Sequence, residues 1–321
     1  MSDSVASGHP SDSASGPRPG TGPGHHPDST SGQHPSTAPG HHPGIGFGAI
    51  KPPRQRSGLA TLSFRSVAGG LAAVALFLLA APTLIVVAVS FTSGLSLRFP
   101  PPGLSLRWYH SLADSWQLQF AAGNSLKVGV LATSVAVLLG VPAALAIGRS
   151  RSAMGRALDQ FFLSPLILPG LAFGLASLIF FTSIGLTVSI TTLVIGHTIV
   201  SVPYVVRNNI AALAQLDPAQ IDSSLSLGAS RLMTFRRVTL PSIRSGILSG
   251  AFVCFMASFD NIPVSLFLRD AATDMLPVRM WQDLESKLDV TIAAASSALI
   301  ILTIILAVIM ERLVGLSRRL Q

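Results

Sequence analysis

Uncharged apolar runs recur along this chain at lengths that suit a bilayer. Val67 to Phe91 carries no charge over 25 residues and Val128 to Gly148 none over 21, and about 20 helical residues cross a hydrocarbon core. Gln160 to Val206 holds no Lys, Arg, Asp or Glu for 47 residues, too long for one helix and right for two joined by a short turn near Ser183 to Leu186. Ser245 to Leu268 contains a single acid, Asp260, and Val290 to Met310 contains no charge. The pattern predicts an all-α membrane protein with six transmembrane helices over residues 59–321. Residues 1–58 are rich in Gly, Pro, Ser and His and poor in large apolar side chains. Such a segment buries too little surface to offset its ordering entropy, so a disordered tail is expected. The first apolar run begins only at Val67 and no small-residue cleavage site follows it, so a removed signal peptide is not expected.

Between the fourth and fifth runs the chain turns polar, over Leu216 to Gly246, "LDPAQIDSSLSLGASRLMTFRRVTLPSIRSG". Its local chemistry predicts two short helices. Asp217 caps the first, Pro218 suits the first helical position, and Gln220 stands where a capping box closes. Gly228 ends that helix, since glycine takes a left-handed cap without strain. Ser230 caps the second, which runs through Leu232 and Phe235 until Leu240 and Pro241 break it. Ile221 with Leu225, and Leu232 with Phe235, give each helix a small apolar face that a groove on another protein can take.

Composition agrees with the membrane reading: 49% of residues are hydrophobic and 11% charged, less than half the charge of a soluble domain. The basic residues add orientation. Fifteen (Lys51, Arg54, Arg56, Arg65, Arg149, Arg151, Arg156, Arg207, Arg231, Arg236, Arg237, Arg244, Arg312, Arg318 and Arg319) fall on one side of a six-span arrangement and six on the other. The positive-inside rule then puts both termini and the polar loop in the cytoplasm. The net charge of +8 follows from this topology, and basic residues dispersed at membrane ends argue against a nucleic-acid partner. The outer side gains two longer segments, Thr92 to Gly123 with Trp108 and Tyr109, and Arg269 to Asp289 with Trp281, a face for a periplasmic partner.

Catalysis is not expected. No G-x-x-x-x-G-K-[ST] loop, Ser-His-Asp arrangement or Cys-x-x-Cys pair is present, so any ATP hydrolysis belongs to a partner and no cofactor is expected. Cys254 is the only cysteine, which excludes an intramolecular disulfide. Six of the eight histidines lie in the tail with no ligand pattern of acids or cysteines around them, so no metal site is expected. Asp260, in "SFDNIPVSLFL", is the one carboxylate well inside a run. With Asn261 and a break at Pro263 it either lines a translocation path or bonds a neighbouring helix. His197 carries the same pair of readings. Asn124 reads as a helix cap at the start of the second span. Pro82, Pro142, Pro165, Pro169, Pro203 and Pro263 mark either static kinks or bends that move or line a cavity.

The spacing of Gly228, Val238, Leu240 and Pro241, with "LGAS" before and "LP" after, resembles the cytoplasmic coupling loop of permease subunits in bacterial binding-protein-dependent ABC importers. Where that family has Glu-Ala-Ala this chain has Asp222, Ser223 and Ser224. "SPLILPG" from Ser164, "SFDNIPVSLFL" from Ser258, "LPVRMW" from Leu276, "LDVTIAAASS" from Leu288 and "RWYHSL" from Arg107 are similar to the second permease subunit of spermidine/putrescine importers. Val290 stands where many relatives have proline. The resemblance implies a coupling helix between spans four and five, with Asp222, Ser223, Ser224, Gly228, Ala229, Phe235, Leu240 and Pro241 at the ATPase contact. It further implies two copies of an ATP-binding subunit, a sister permease, a periplasmic or lipid-anchored solute-binding protein, and a place in the bacterial inner membrane. Thiamine, iron, sulfate and aminophosphonate permeases share the loop. An ion-coupled secondary transporter would show paired charges inside its spans and an internal repeat, and neither is evident. A non-transporting scaffold would not need the polar loop.

Overall fold

In the computed structural model, residues 58–319 are described apart from 151 and 288. The tail expected over residues 1–58 lies outside the described residues except for Gly58, which begins the first helix. The chain divides into Met1–Thr61 and Leu62–Gln321, and the fold below is that of the second unit.

The described structure is helical. Among the described residues, five helices are long and apolar enough to cross a membrane: Arg65–Ser90, Trp116–Gly148, Ile190–Leu213, Arg231–Phe259 and Val290–Gly315. A sixth span results if α4 (Ala153–Ile167) and α5 (Gly170–Ser183), bent by 102° at their junction, count as one. The bend has a local cause. Pro169 has no N–H and pushes the residue before it out of the helical region, and Leu168 is extended at φ −76°, ψ 138°. The turn expected near Ser183 to Leu186 lies between α5 and α6 (Ile190–Leu213), and a Ser189–Thr192 capping box starts α6.

The centre of the bundle is α6, packed against α3 (Trp116–Gly148) and α9 (Leu240–Phe259). Val128, Leu193, Val205, Val206 and Ile243 are fully enclosed there. Small residues set the spacing: a Cβ on Gly246 would lie 2.5 Å from Ala212 Cβ and 2.9 Å from Asn208 O, closer than atoms tolerate, so α6 and α9 touch nearly backbone to backbone. By contrast α1 (Gly58–Ser90) leaves Val67, Leu71, Phe77, Leu78, Leu79 and Leu84 exposed. Its end is tied down by Ser90 Oγ, 2.8 Å from the Tyr109 hydroxyl, which in turn donates to Ser297 Oγ at 3.1 Å.

The two longer segments between spans, 92–115 and 269–289, hold helices of their own. α2 (Arg107–Asp114) lies in the first, and α11 (Leu276–Lys287) in the second, before α12 (Val290–Arg319). The second segment is braced by Arg269 on Asp274 at 2.7 Å and Arg279 on Asp283 at 3.1 Å. Asn124 is not a helix cap. The helix starts at Trp116, so Asn124 is interior and buried, and its amide donates to the carbonyls of Ala272 and Asp274 at 3.5 and 3.1 Å. A buried amide has to find partners, and here it fastens α3 to the segment that precedes α11.

Candidate functional site

The polar loop forms two short helices, α7 (Pro218–Ser226) and α8 (Arg231–Thr234). Asp217 Oδ1 accepts from the Ala219 amide at 2.9 Å, and Ser230 Oγ from Met233 at 3.3 Å. Each cap satisfies an amide that the helix start leaves open. Gly228 sits at φ +84° with nothing within 4 Å of a would-be Cβ; its need for glycine is conformational and not steric. The Gly228 and Ala229 amides return to Leu225 O (2.9 Å) and Ser224 O (3.2 Å), closing α7. Ser224 and Thr234 hydroxyls lie 3.0 Å apart and pin the two helices together.

Pro241 does not break the second helix. Arg231 to Phe259 is one helix of 29 residues, with a π-helical turn over Phe235–Thr239 in which the Leu240 amide reaches back to Phe235 O. The wider turn makes room for the ring and the missing donor of Pro241. The loop is therefore rigidly continuous with a span. Thr239, fully buried, accepts from Arg149 at 3.3 Å, which anchors the same turn to the end of α3.

Asp222, Ser223 and Gly228 are exposed, Ala229 and Phe235 half-buried, and Leu240 and Pro241 exposed. The apolar face differs from the one predicted. Ile221 and Phe235 are half-buried, whereas Leu225, Leu227, Leu232 and Met233 project from the loop, Leu227 at 89% exposure. Leu227 and Met233 are the residues that helical spacing missed, because the glycine turn redirects the chain between them. Behind α7 an open groove of about 950 Å³ is lined in part by Gln220, Ser223, Ser224, Arg237 and Ser245.

The second discontinuity lies at the far end of α9. Phe259 ends the helix, Asp260 caps it, and α10 (Ile262–Leu268) starts at once. Asp260 is exposed at the break and not enclosed within a span. Asn261, rather than Pro263, marks the interruption: its Oδ1 accepts from Val264 at 2.9 Å as the cap of α10, where Pro263 occupies the first turn. Pro263 packs on α5, where a Cβ at Gly174 would come within 2.6 Å of Pro263 O. His197 is fully buried; its Nδ1 lies 3.0 Å from both the carbonyl and hydroxyl oxygens of Ser258, and its Nε2 3.1 Å from Ser265 Oγ. Of the two readings, the geometry has the bundle one. Ser258 and Ser265, seven positions apart and flanking the break, were not singled out from the sequence. Among the described residues no group of three or more His, Cys, Asp or Glu is placed to hold a metal ion.

A family model described as "Binding-protein-dependent transport system inner membrane component" matches residues 136–320, and the chain belongs to that family. It is a multi-pass inner-membrane permease subunit of an ABC importer, a non-catalytic part of the transport system, in a family whose members bind no cofactor. The chain is 25% identical over 233 residues to the spermidine/putrescine transport system permease protein PotC of Haemophilus influenzae, covering 72% of this chain and 89% of that one. It is 28% identical over 229 residues to the putrescine permease PotI of Escherichia coli K12 (68% and 80% covered). It is 31% identical over 200 residues to the molybdenum permease ModB of Mycobacterium bovis (58% and 75% covered). Among solved structures, a bacterial alginate ABC transporter aligns with a TM-score of 0.57 at 15% identity, covering 80% of this chain and 96% of that one. The MetNI methionine transporter aligns at 0.55 and 16% identity, covering 63% and 96%; these likenesses establish the fold.

Proposed function

We propose that this chain is the six-span subunit that forms one side of the path for a small polycationic solute of the spermidine/putrescine class. Asp260 carries the solute reading. It is an exposed carboxylate at a break in a span, and an anion there attracts a cation that has left water. PotC and PotI, to which the chain is similar, are spermidine/putrescine and putrescine permeases and support the same solutes. ModB favours a second reading, an oxyanion cargo, which a lone carboxylate at the break would repel.

The loop at Asp222, Ser223, Ser224, Gly228, Ala229, Phe235, Leu240 and Pro241 is the contact for an ATP-binding subunit, present in two copies. Exposed Leu225, Leu227, Leu232 and Met233 supply the apolar anchor. Because α8 continues into α9 without a joint, a push on the loop travels along that helix towards Asp260. A sister permease completes the path, and a periplasmic or lipid-anchored binding protein delivers solute to the outer segments. Both termini and the loop are cytoplasmic, with residues 1–58 a tail outside the six-span domain at 59–321.

ATP-dependent uptake into proteoliposomes holding this chain, its sister permease and the ATPase, with the binding protein outside, tests the reading. Labelled spermidine or putrescine should accumulate only when every part is present, and Asp260→Asn should lower uptake at least tenfold while ATP hydrolysis continues. Uptake of molybdate alone would replace the solute, and normal polyamine uptake by Asp260→Asn would remove that carboxylate from the path.

A further inference from the structure

The break between α9 and α10 is spanned by a side chain from neither helix. Ser258 lies in the last turn of α9 and Ser265 in the first turns of α10, with Asp260 and Asn261 between them. His197 of α6 touches both serines, one with each ring nitrogen. Ser258 O can only accept, so a hydrogen on Nδ1 serves it, and Nε2 of that tautomer accepts from the Ser265 hydroxyl, while the Ser258 hydroxyl lies at the same 3.0 Å from Nδ1. All of these groups are buried, where a polar atom left without a partner is costly.

The junction is a tight turn held by short-range bonds: the Asp260 amide keeps its helical bond to Met256 O at 3.1 Å, the Asn261 and Ile262 amides reach Ser258 O (3.3 Å) and Asp260 O (3.0 Å), and Asn261 is extended at φ −80°, ψ 91°. α10 is independently seated: on α5 through Gly174, and on α6, where a Cβ at Gly196 would lie 2.7 Å from Leu268 Cδ1. What His197 adds is the far side of the joint, because it binds the end of α9 to the same helix that carries α10.

We infer that His197 is a positioning residue that holds the two sides of the α9–α10 break in register and so sets where the Asp260 carboxylate stands. It contacts the helices around the solute route, and the solute itself does not reach it. The functional consequence rests on the proposal that Asp260 faces the path; the latch itself does not.

The two serines make the inference testable, because they lose unequal things. Ser258→Ala removes a hydroxyl but leaves the backbone carbonyl as the acceptor for Nδ1–H. Ser265→Ala removes the hydroxyl that partners Nε2 at 3.1 Å, its one partner among the described residues. His197→Asn places an amide donor near the Nδ1 position and nothing at Nε2, so it should match Ser265→Ala. Asp260→Cys provides the reporter, since the native Cys254 is buried. Its rate of modification by a small charged maleimide is measured on the full chain in membrane vesicles, with the unmutated chain as the blank. Ser265→Ala and His197→Asn should each change that rate at least threefold, the double variant no further, and Ser258→Ala by less than 1.5-fold. Equal effects of the two serine variants, or an additive double variant, would mean that His197 merely fills space and would overturn the inference. No solute is needed, so this result stands apart from the uptake experiment. If polyamines are not carried but the labelling pattern holds, only the solute reading is lost.

Discussion

The chain is interrupted at each end of the continuous Arg231–Phe259 helix, and the two interruptions are built on different plans. The loop from Asp217 to Thr234 is held by its own neighbours in sequence: Asp217 caps α7, Ser230 caps α8, Gly228 turns the chain, and Ser224 meets Thr234 ten residues on. The break at Asp260 and Asn261 has one local cap, Asn261, and is otherwise held from a distance, by His197 on α6 and by the close approach of α5 at Gly174. A self-supporting loop presents a fixed shape to a separate partner. A break supported by neighbouring spans changes shape only when those spans move, which is what a solute gate inside a bundle requires.

If the break depends on its neighbours, crowding them should do the most damage. Gly174→Ala puts a methyl group against the carbonyl of Pro263, 2.6 Å away, and against Phe267. Backbone cannot yield as a side chain tip does, so a loss on the order of 3 kcal/mol is expected, read as a fall in the thermal midpoint of the purified protein. A midpoint equal to the parent would show that α5 and α10 are not in contact as described.

Gly228 makes the opposite case, since no atom lies near its missing side chain. Gly228→Ala should cost about 1–2 kcal/mol through the left-handed backbone alone. Gly228→Asn should recover part of it, because asparagine tolerates that region. Faster amide exchange confined to α7 and α8 would report the loss, and equal exchange in the Ala and Asn variants would count against a purely conformational role. Smaller still is Ser230→Ala, which removes one cap bond at the start of α8 and should cost about 1 kcal/mol, visible as local exchange at Met233 without a change in the global midpoint.

The same division explains how much was legible in the sequence. Both caps and the glycine turn of the loop follow from short-range rules, and the structure has them where those rules put them. The end of α8 does not follow: Pro241 reads as a breaker by the same rules, yet a π turn absorbs it. The exposed apolar set was half seen, because Leu227 and Met233 depend on how the glycine turn aims the chain. At the break, Asp260 stood out by charge alone, but its partners did not. Ser258 and Ser265 become significant only once α6 brings His197 between them, 61 and 68 residues away in sequence. Asn124 misled for the same reason, since its partners Ala272 and Asp274 lie about 150 positions further on.

Coupling to ATP requires that the loop be the surface that meets the ATP-binding subunit. The direct measurement is the amount of that subunit that co-purifies with the full chain and its sister permease, comparing the parent with Leu227→Glu. Leu227 is exposed and has little to lose inside the fold, so the variant should keep its own thermal midpoint. A charge set among Leu225, Leu232 and Met233 should nonetheless reduce the bound ATPase at least tenfold. Undiminished ATPase binding by a folded Leu227→Glu chain would contradict the assignment of this loop as the coupling surface.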